Sequence, residues 1–425
     1  MRKIEDAEQM DSVVNSNNIS GLIQRTLNYV DPRLVDHGKR VAFLVSSMLD
    51  VDGGCSEKEK QDICFLALLH DVGAYKTEEI NEMAKFETED IWEHSIYGYL
   101  FLYHFSPLQD WAEAILYHHV SADKLKGVNE KIARVSQIIN LADRVDIFWL
   151  YYQDMAALSE YLMKYRGTRF REETVDLLLE TERRHHIIEK LSGRLALKSV
   201  LPSVVMSVTE CERYLKMLVY AIDFRSQHTV THTITTTSIS VNVASILGMC
   251  DQEIQRIYYG AMLHDLGKIG IPVEILEYPG KLSPQAMKIM QTHVDITEEI
   301  LGGTIAADIT RIAIRHHEKL DGSGYPRGLT GDKLSMEEQV VVVADIVSAL
   351  LGTRSYKEAY SKEKTLSILA KQVQEGKLNG TIVAALNENF DEILGEVTKH
   401  CRPVLRIYYG LQREFERLLE KYRSV

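Results

Sequence analysis

Ten of the fifteen histidines in this chain fall into two series with the same order and nearly the same spacing. The first runs His37, His70-Asp71, His94, His118-His119 and Asp143; the second runs His232, His264-Asp265, His293, His316-His317 and Asp345. Corresponding members lie 195, 194, 199, 198 and 202 positions apart. Scattered histidines would not keep that register. A duplicated domain would, so the chain is expected to fold as two related units even where the surrounding residues have diverged.

The local context of each series is helical. "ICFLALLHDVG" and "IYYGAMLHDLG" are apolar helix segments that end in His-Asp, followed by a glycine suited to a helix C-terminus. "ILYHHV" and "IAIRHHE" place each histidine doublet after an apolar stretch, and "NLADRVDIF" and "VVADIVSAL" place Asp143 and Asp345 within apolar helices. With only eight prolines in 425 residues, the pattern predicts an all-α fold of two tandem helical domains. The predicted boundaries are 1–165 for the first domain, 166–215 for a helical connector, and 216–425 for the second domain with a helical extension. The amphipathic tail "RIYYGLQREFERLLEKYRSV" can pack on the body or pair with another subunit, so a homodimer is one expectation, and signalling partner proteins for the chain are another. One stretch opposes its own propensity. "HTVTHTITTTSISVNVA" is rich in strand-forming residues, yet the repeat sets His232 where His37 opens a helical pattern, so a helix is expected there.

Composition narrows the function. A net charge of -12 argues against a nucleic-acid polymer as partner, although bound metal can still supply positive charge for an anionic substrate. The first residues lack the apolar core of a signal peptide, and the longest apolar run, interrupted by Asp345, is too short to span a bilayer. Five cysteines without paired spacing suit a reducing compartment, so a cytoplasmic protein with no membrane association is expected.

Imidazole nitrogens and carboxylate oxygens together suit divalent Fe, Mn, Ni, Co or Zn. Five histidines and two aspartates per series exceed the needs of one ion and fit two. A single buried histidine is ordinarily a satisfied core residue. Two ordered series of seven, with carboxylates inside apolar helices, are poorly explained that way, because an unpaired buried carboxylate is costly.

The order H…HD…H…HH…D resembles the HD superfamily of metal-dependent phosphohydrolases. The second copy is similar to its HD-GYP branch of cyclic-dinucleotide phosphodiesterases, through "HDLGK" (264–268), "HHEKLDGSGYP" (316–326) and "ADIVSALLGTRSYK" (344–357). The resemblance implies that His232, His264 and Asp345 hold one ion, that His293, His316 and His317 hold another, and that Asp265 bridges them. It implies that Lys268 acts with Asp265 in catalysis, that Arg354 and Lys357 contact the phosphodiester, and that Gly324, Tyr325 and Pro326 shape the wall where the nucleotide lies. His228, four residues before His232, occupies a position where some members place a glutamate that recruits a third ion; its counterpart in the first copy is Arg33.

Departures from the family pattern are few. Ser348 stands where a second aspartate is usual, and Gln339 where an arginine is frequent. The first copy keeps all seven ligand positions (His37, His70, Asp71, His94, His118, His119 and Asp143), sufficient for two further ions. It has Ala74 at the lysine position and no Gly-Tyr-Pro, and so resembles a general HD phosphohydrolase domain with a nucleotidase-like role. The resulting expectation is a phosphodiesterase that linearises a 3′,5′-cyclic dinucleotide, with cyclic di-GMP first and 3′,3′-cyclic GMP-AMP as the alternative. A nucleotide-sensing module without turnover is the competing class.

Overall fold

The computed structural model describes residues 16–29, 35–76, 92–193, 206–224, 230–278, 280–352 and 360–423. Among them there are helices and 3-10 turns but no strand, only the isolated bridges Arg166–Phe170 and Asp321–Thr330. No helix among them is long and apolar enough to cross a membrane. The chain divides into two units, Met1–Met217 with Leu411–Val425, and Leu218–Gly410.

The first unit begins with α1 (Ser16–Asn28), α2 (His37–Asp52) and α3 (Glu57–Leu68). A 3-10 turn, Val72–Lys76, leads toward α4 (Glu93–Phe105), and α5 (Glu130–Tyr152), α6 (Met155–Tyr165) and α7 (Glu172–His185) follow. Ser56 and Glu59 form a capping box that starts α3, and the Asn129 side chain accepts from two backbone amides to start α5. Helix α2 packs on α3 and α5, and α4 packs on the 3-10 turn. Residues 166–193 belong to this unit: α7 lies against α2 and α5, with Val175 and Leu178 fully buried.

Helix α8 (Val208–Asp223) leads into the second unit, which continues with α9 (His232–Ile246), α10 (Asp251–Leu263), the 3-10 turn Leu266–Gly270, α11 (His293–Leu301), α12 (Ala307–Ile314) and α13 (Met336–Leu351). Helix α9 packs on α10 and α13, and α11 packs on the 3-10 turn, repeating the plan of the first unit. Ile239, Val243, Ile257, Ala261 and Val340–Val343 make its core. The threonine-rich stretch is a helix as expected: Thr236, Ile239 and Ser240 are fully buried, and Ser240 Oγ donates to the Thr236 carbonyl at 2.8 Å. Burial on several sides overrides the strand preference of the individual residues.

The last helix, α14 (Phe390–Arg423), contributes Phe390, Ile393 and Val397 to the second unit's core, while its residues from Leu411 onward belong to the first unit. There the end of the tail packs on the body: Phe415 stacks on Tyr97, and Tyr422 stacks on Trp92 and bonds the Tyr117 hydroxyl.

Candidate metal centres

Each unit gathers its seven histidines and aspartates around one point, and each does so with the same devices. His70 and His264 sit just past the C-terminal ends of α3 and α10, and the glycines after them have a different job from the one expected. Neither Gly73 nor Gly267 adopts positive φ. A Cβ on Gly73 would lie 1.9 Å from the His94 carbonyl oxygen, and one on Gly267 would lie 1.9 Å from the His293 carbonyl oxygen. These glycines end no helix by a left-handed turn. They let the helix bearing the next histidine come close enough for its imidazole to join the cluster.

In the second unit, His232 Nε2 lies 3.3 Å from Asp265 Oδ2 and 3.1 Å from Asp345 Oδ1. His264 Nε2 lies 3.2 Å from Asp265 Oδ2. The other oxygen of Asp265 faces His293 at 3.5 Å and His316 at 3.9 Å. Asp345 is divided likewise, its Oδ2 lying 3.5 Å from His317 Nδ1. Two sets of donor atoms, His232/His264/Asp265 and His293/His316/His317, each fall within 4.8 Å of one another.

The first unit repeats this. Asp71 turns Oδ2 to His37 and His70, at 3.8 and 3.2 Å, and Oδ1 to His94 and His118, both at 3.9 Å. Asp143 turns Oδ1 to His37 at 3.2 Å and Oδ2 to His119 at 3.8 Å. The two compact donor sets here are His37/His70/Asp143 and Asp71/His94/His118/His119.

Hydrogen bonds fix the ring orientations. Nδ1 of His70, His118, His264, His293 and His316 each donates to the carbonyl three residues earlier, at 2.6 to 2.8 Å. Nε2 is thereby left as the lone-pair nitrogen turned inward, as a metal-ligating histidine requires. His37 and His232 use side chains instead: Asp146 Oδ2 at 2.7 Å from His37 Nδ1, and Ser348 Oγ at 3.0 Å from His232 Nδ1.

The electrostatics match a cation site. Asp143, Asp265 and Asp345 are buried and Asp71 half-buried, which opposes ionisation, yet the neighbouring imidazoles and the Arg144 and Lys268 cations hold all four carboxyls below the usual carboxylate range. Burial and the adjacent imidazoles hold His316 far below its ordinary value, and burial brings His317 down to about 3. Burial would also lower His37 and His232, but aspartates bonded to them raise the first to about 10 and the second to about 9. Asp71 likewise raises His70, so these imidazoles favour a proton with which an entering cation must compete. Nε2 of His70 and His118 and Oδ1 of Asp71 and Asp265 are buried without a hydrogen-bond partner. Such atoms are costly inside a protein, and a divalent cation would satisfy all of them. The residues fit the metal that the ligand pattern implies.

Around the shared frame the two units differ. In the second, Lys268 Nζ bonds Asp265 Oδ2. Beyond His317 the chain turns sharply: the Tyr325 ring lies 4.6 Å from that of His317, and Tyr325 N donates to the His317 carbonyl at 3.2 Å. Gly324 is required by packing, since a Cβ there would meet the Glu318 backbone at 2.5 Å. Glu318 itself, fully buried, was not singled out from the sequence; its two carboxylate oxygens accept from the amides of Arg327 and Leu329, each at 2.8 Å, and so clamp the turn. Pro326 follows through a cis peptide bond. In the first unit the corresponding stretch forms a short 3-10 turn, Ala122–Lys124, and Ala74 stands buried at the lysine position. Asp146 and Arg144 were also missed; Asp146 was findable, standing three residues after Asp143 where the family's second aspartate belongs. Arg354, Lys357, His228 and Arg33 lie outside the described residues.

Comparison with known proteins agrees with this geometry. Two family models, each described as an HD domain, match residues 34–147 and 216–382. The chain is 28% identical to the 3′3′-cGAMP-specific phosphodiesterase 1 of Vibrio cholerae serotype O1, over 86% of this chain and 90% of that protein. It is 39% identical to the cyclic di-GMP phosphodiesterase response regulator RpfG of Xanthomonas campestris pv. campestris, over 43% of this chain and 49% of the relative. Among solved structures, a Vibrio cholerae cyclic GMP-AMP specific phosphodiesterase, V-cGAP3, shares the fold with a TM-score of 0.58 at 20% identity, covering 89% of this chain and 98% of that one.

Proposed function

Because the chain belongs to the HD-GYP family, with a second HD domain lacking the Gly-Tyr-Pro signature ahead of it, we propose that its second unit hydrolyses a 3′,5′-cyclic dinucleotide to the linear dinucleotide. One observation carries this reading: the second unit joins a complete two-cluster ligand frame to Lys268 and to the Gly324-Tyr325-Pro326 turn, whose tyrosine ring lies against His317.

His232, His264 and Asp345 would hold one divalent ion and His293, His316 and His317 a second, with Asp265, whose two oxygens face the two groups of imidazoles, the carboxylate they would share. Ions bound there activate water and polarise the phosphodiester for in-line displacement. The protein supplies everything that orients this chemistry. The carbonyl-anchored imidazoles keep their ligand nitrogens turned inward, and Asp345 steadies His317 from the opposite cluster. Lys268, half-buried beside Asp265, is placed to neutralise a phosphate or leaving oxygen. The rigid turn pinned by Glu318 forms a wall on the exposed side of His317, whose side chain is the most open of the ligands at 26%. Arg354 and Lys357, which follow α13 in the sequence, are assigned to the phosphodiester from the family resemblance alone.

The base identity has two readings. The relative that aligns along both units is named for 3′3′-cGAMP, which favours that hybrid dinucleotide; RpfG, named for cyclic di-GMP, aligns over less than half of this chain. The deciding experiment incubates metal-replete protein with each cyclic dinucleotide and separates the products by chromatography. A linear product from either one supports the reading, and the faster substrate fixes the base preference. Binding of both without turnover would replace it with a sensing role.

A further inference from the structure

The end of α14 meets the first unit beside its ligand positions. Leu411, Phe415, Leu418 and Tyr422 recur at steps of four, three and four residues and so share one face of that helix. The two leucines are buried. The Phe415 and Tyr97 rings stack at 4.2 Å. Tyr422 stacks on Trp92, with ring centroids 4.5 Å apart and planes inclined by 16°, and its hydroxyl bonds that of Tyr117 at 3.1 Å. Arg423 pairs with Glu93 at 2.6 Å, but its guanidinium is exposed and such a pair adds little.

Trp92 and Glu93 immediately precede His94, and Tyr117 immediately precedes His118-His119. With Asp71, these three histidines make one of the unit's two donor sets. Across the two segments His94 Nε2 and His119 Nε2 approach to 3.0 Å. The other set, His37/His70/Asp143, stands on α2, on α5 and just past α3, none of which carries Trp92, Tyr97 or Tyr117.

The second unit secures the same place differently. Arg315, 198 positions after Tyr117, immediately precedes His316-His317. Its Nη1 donates to both carboxylate oxygens of the buried Glu338 on α13, at 2.9 and 3.1 Å. The residue 202 positions before Glu338, on α5, is Ser136, which can form no such ion pair. Apart from Tyr422, the Tyr117 hydroxyl reaches only Glu113, one turn earlier in its own segment, at 3.4 Å. What Glu338 does from within the second unit's ligand-bearing helices, the tail does in the first.

We infer that Tyr422 is a positioning residue of the first unit. Stacked on Trp92 and bonded to Tyr117, it clamps together the segments that carry His94 and His118-His119, and so supports one of the two donor sets and not the other. Groups that orient ligands without touching the metal commonly change its affinity about 10- to 100-fold. This inference rests on the first unit being a metal site.

The test loads the full chain with Mn2+ and counts the bound ions by mass spectrometry under graded chelator competition. His94→Ala should lose the ion of the Asp71/His94/His118/His119 set, and so mark it in the titration. Tyr422→Ala should weaken that same ion about ten-fold, leave the others as in the parent, and add nothing further in the His94→Ala background. Tyr422→Phe, which keeps the ring stack and loses the hydroxyl bond, should fall between Tyr422→Ala and the parent. A Tyr422→Ala protein whose ions resist the chelator as the parent's do overturns the inference, even where its metal-free melting temperature falls, because the tail is then structural support alone. Equal weakening of every ion overturns it too. If Tyr422→Ala does not fold, Tyr422→Phe decides: selective weakening of the marked ion supports the clamp, and parental resistance overturns it. If His94→Ala holds as many ions as the parent, that set carries none and the inference falls, while the proposal for the second unit stands.

Discussion

The two metal frames are near copies, and what surrounds them is not. Both units place two carboxylates so that each oxygen faces a different group of imidazoles, and both anchor His70 or His264 to the carbonyl three residues back. Divergence begins one shell out. Lys268 against Ala74, Ile346 against Arg144, Ser348 against Asp146, and a glycine-rich turn against a short 3-10 turn separate the second unit from the first. A ligand frame tolerates little change because every donor must reach the same point. The residues around it set ligand basicity, access and the charge that meets the substrate, and these can change one at a time.

The most severe way to break the comparison is to remove the shared carboxylate on one side only. Asp265→Ala should abolish cyclic-dinucleotide turnover, whereas His70→Ala should leave it within about two-fold, because the second unit carries a full ligand set of its own. Product chromatography on the two variants decides this, and reversed behaviour would mean the activity has been assigned to the wrong unit. Next in size is a change that should hurt both units alike. Gly73→Ala and Gly267→Ala each drive a Cβ into a backbone carbonyl at 1.9 Å. Each should cost on the order of 3 kcal/mol in unfolding free energy and expel metal from its own unit. If either variant kept its ions and its melting temperature, close helix approach would not be what these glycines provide.

A subtler comparison concerns the partner of the first histidine. Asp146 places a carboxylate on His37 Nδ1, and Ser348 places a hydroxyl on His232 Nδ1 while donating its own proton to the His232 carbonyl at 3.1 Å. The carboxylate makes its imidazole the stronger donor to a metal. Asp146→Asn, which keeps the shape and loses the charge, should therefore weaken metal binding in the first unit by about 10- to 100-fold, and Ser348→Ala should cost the second unit less. Chelator competition on each variant measures both. A larger loss at Ser348 would show that the hydroxyl matters more than the charge.

Much of this organisation was legible in the sequence. Metal ligands are fixed in residue type and must recur in a fixed order, so the duplicated series exposed both frames, and the apolar context of each His-Asp pair exposed the helices. The threonine-rich α9 yielded only because the repeat outweighed its local propensity. What stayed hidden depends on three-dimensional packing. Gly73 and Gly267 resembled helix ends because nothing in the sequence shows that another helix's carbonyl lies against them. Glu318 looked like one more loop charge until the chain folded back to bring two amides onto it. Arg144 was a basic residue in an apolar helix until the structure set its guanidinium on Asp143 Oδ2.

The last contrast concerns stability alone and a buried acid at a position where the two units differ. Asp223 ends α8, and 195 positions earlier, at the same offset that relates His37 to His232, the residue is Asn28. The Asn28 side chain accepts from the Asp36 backbone amide at 3.0 Å and donates to the Asp36 carboxylate at 3.4 Å, and Asp36 precedes the first ligand. Asp223 instead accepts from the Thr233 hydroxyl at 3.0 Å, just after the corresponding ligand. Burial raises its carboxyl from the ordinary 3.8 to about 7, outweighing the opposing pull of His232 and Thr233. The sign follows from the folded form holding its proton more tightly than the unfolded form. The folded state keeps its full advantage below about pH 4 and loses it progressively as pH rises to about 7, because the unfolded chain ionises freely while the buried carboxyl does not. Asp223→Asn installs the first unit's residue and removes this dependence. Unfolding of the metal-free protein followed between pH 4 and 7 should show a falling wild-type stability relative to the variant, with the curves closest at the acid end. Parallel curves across that range would mean that Asp223 is ionised in the folded protein and that the two units handle this position alike.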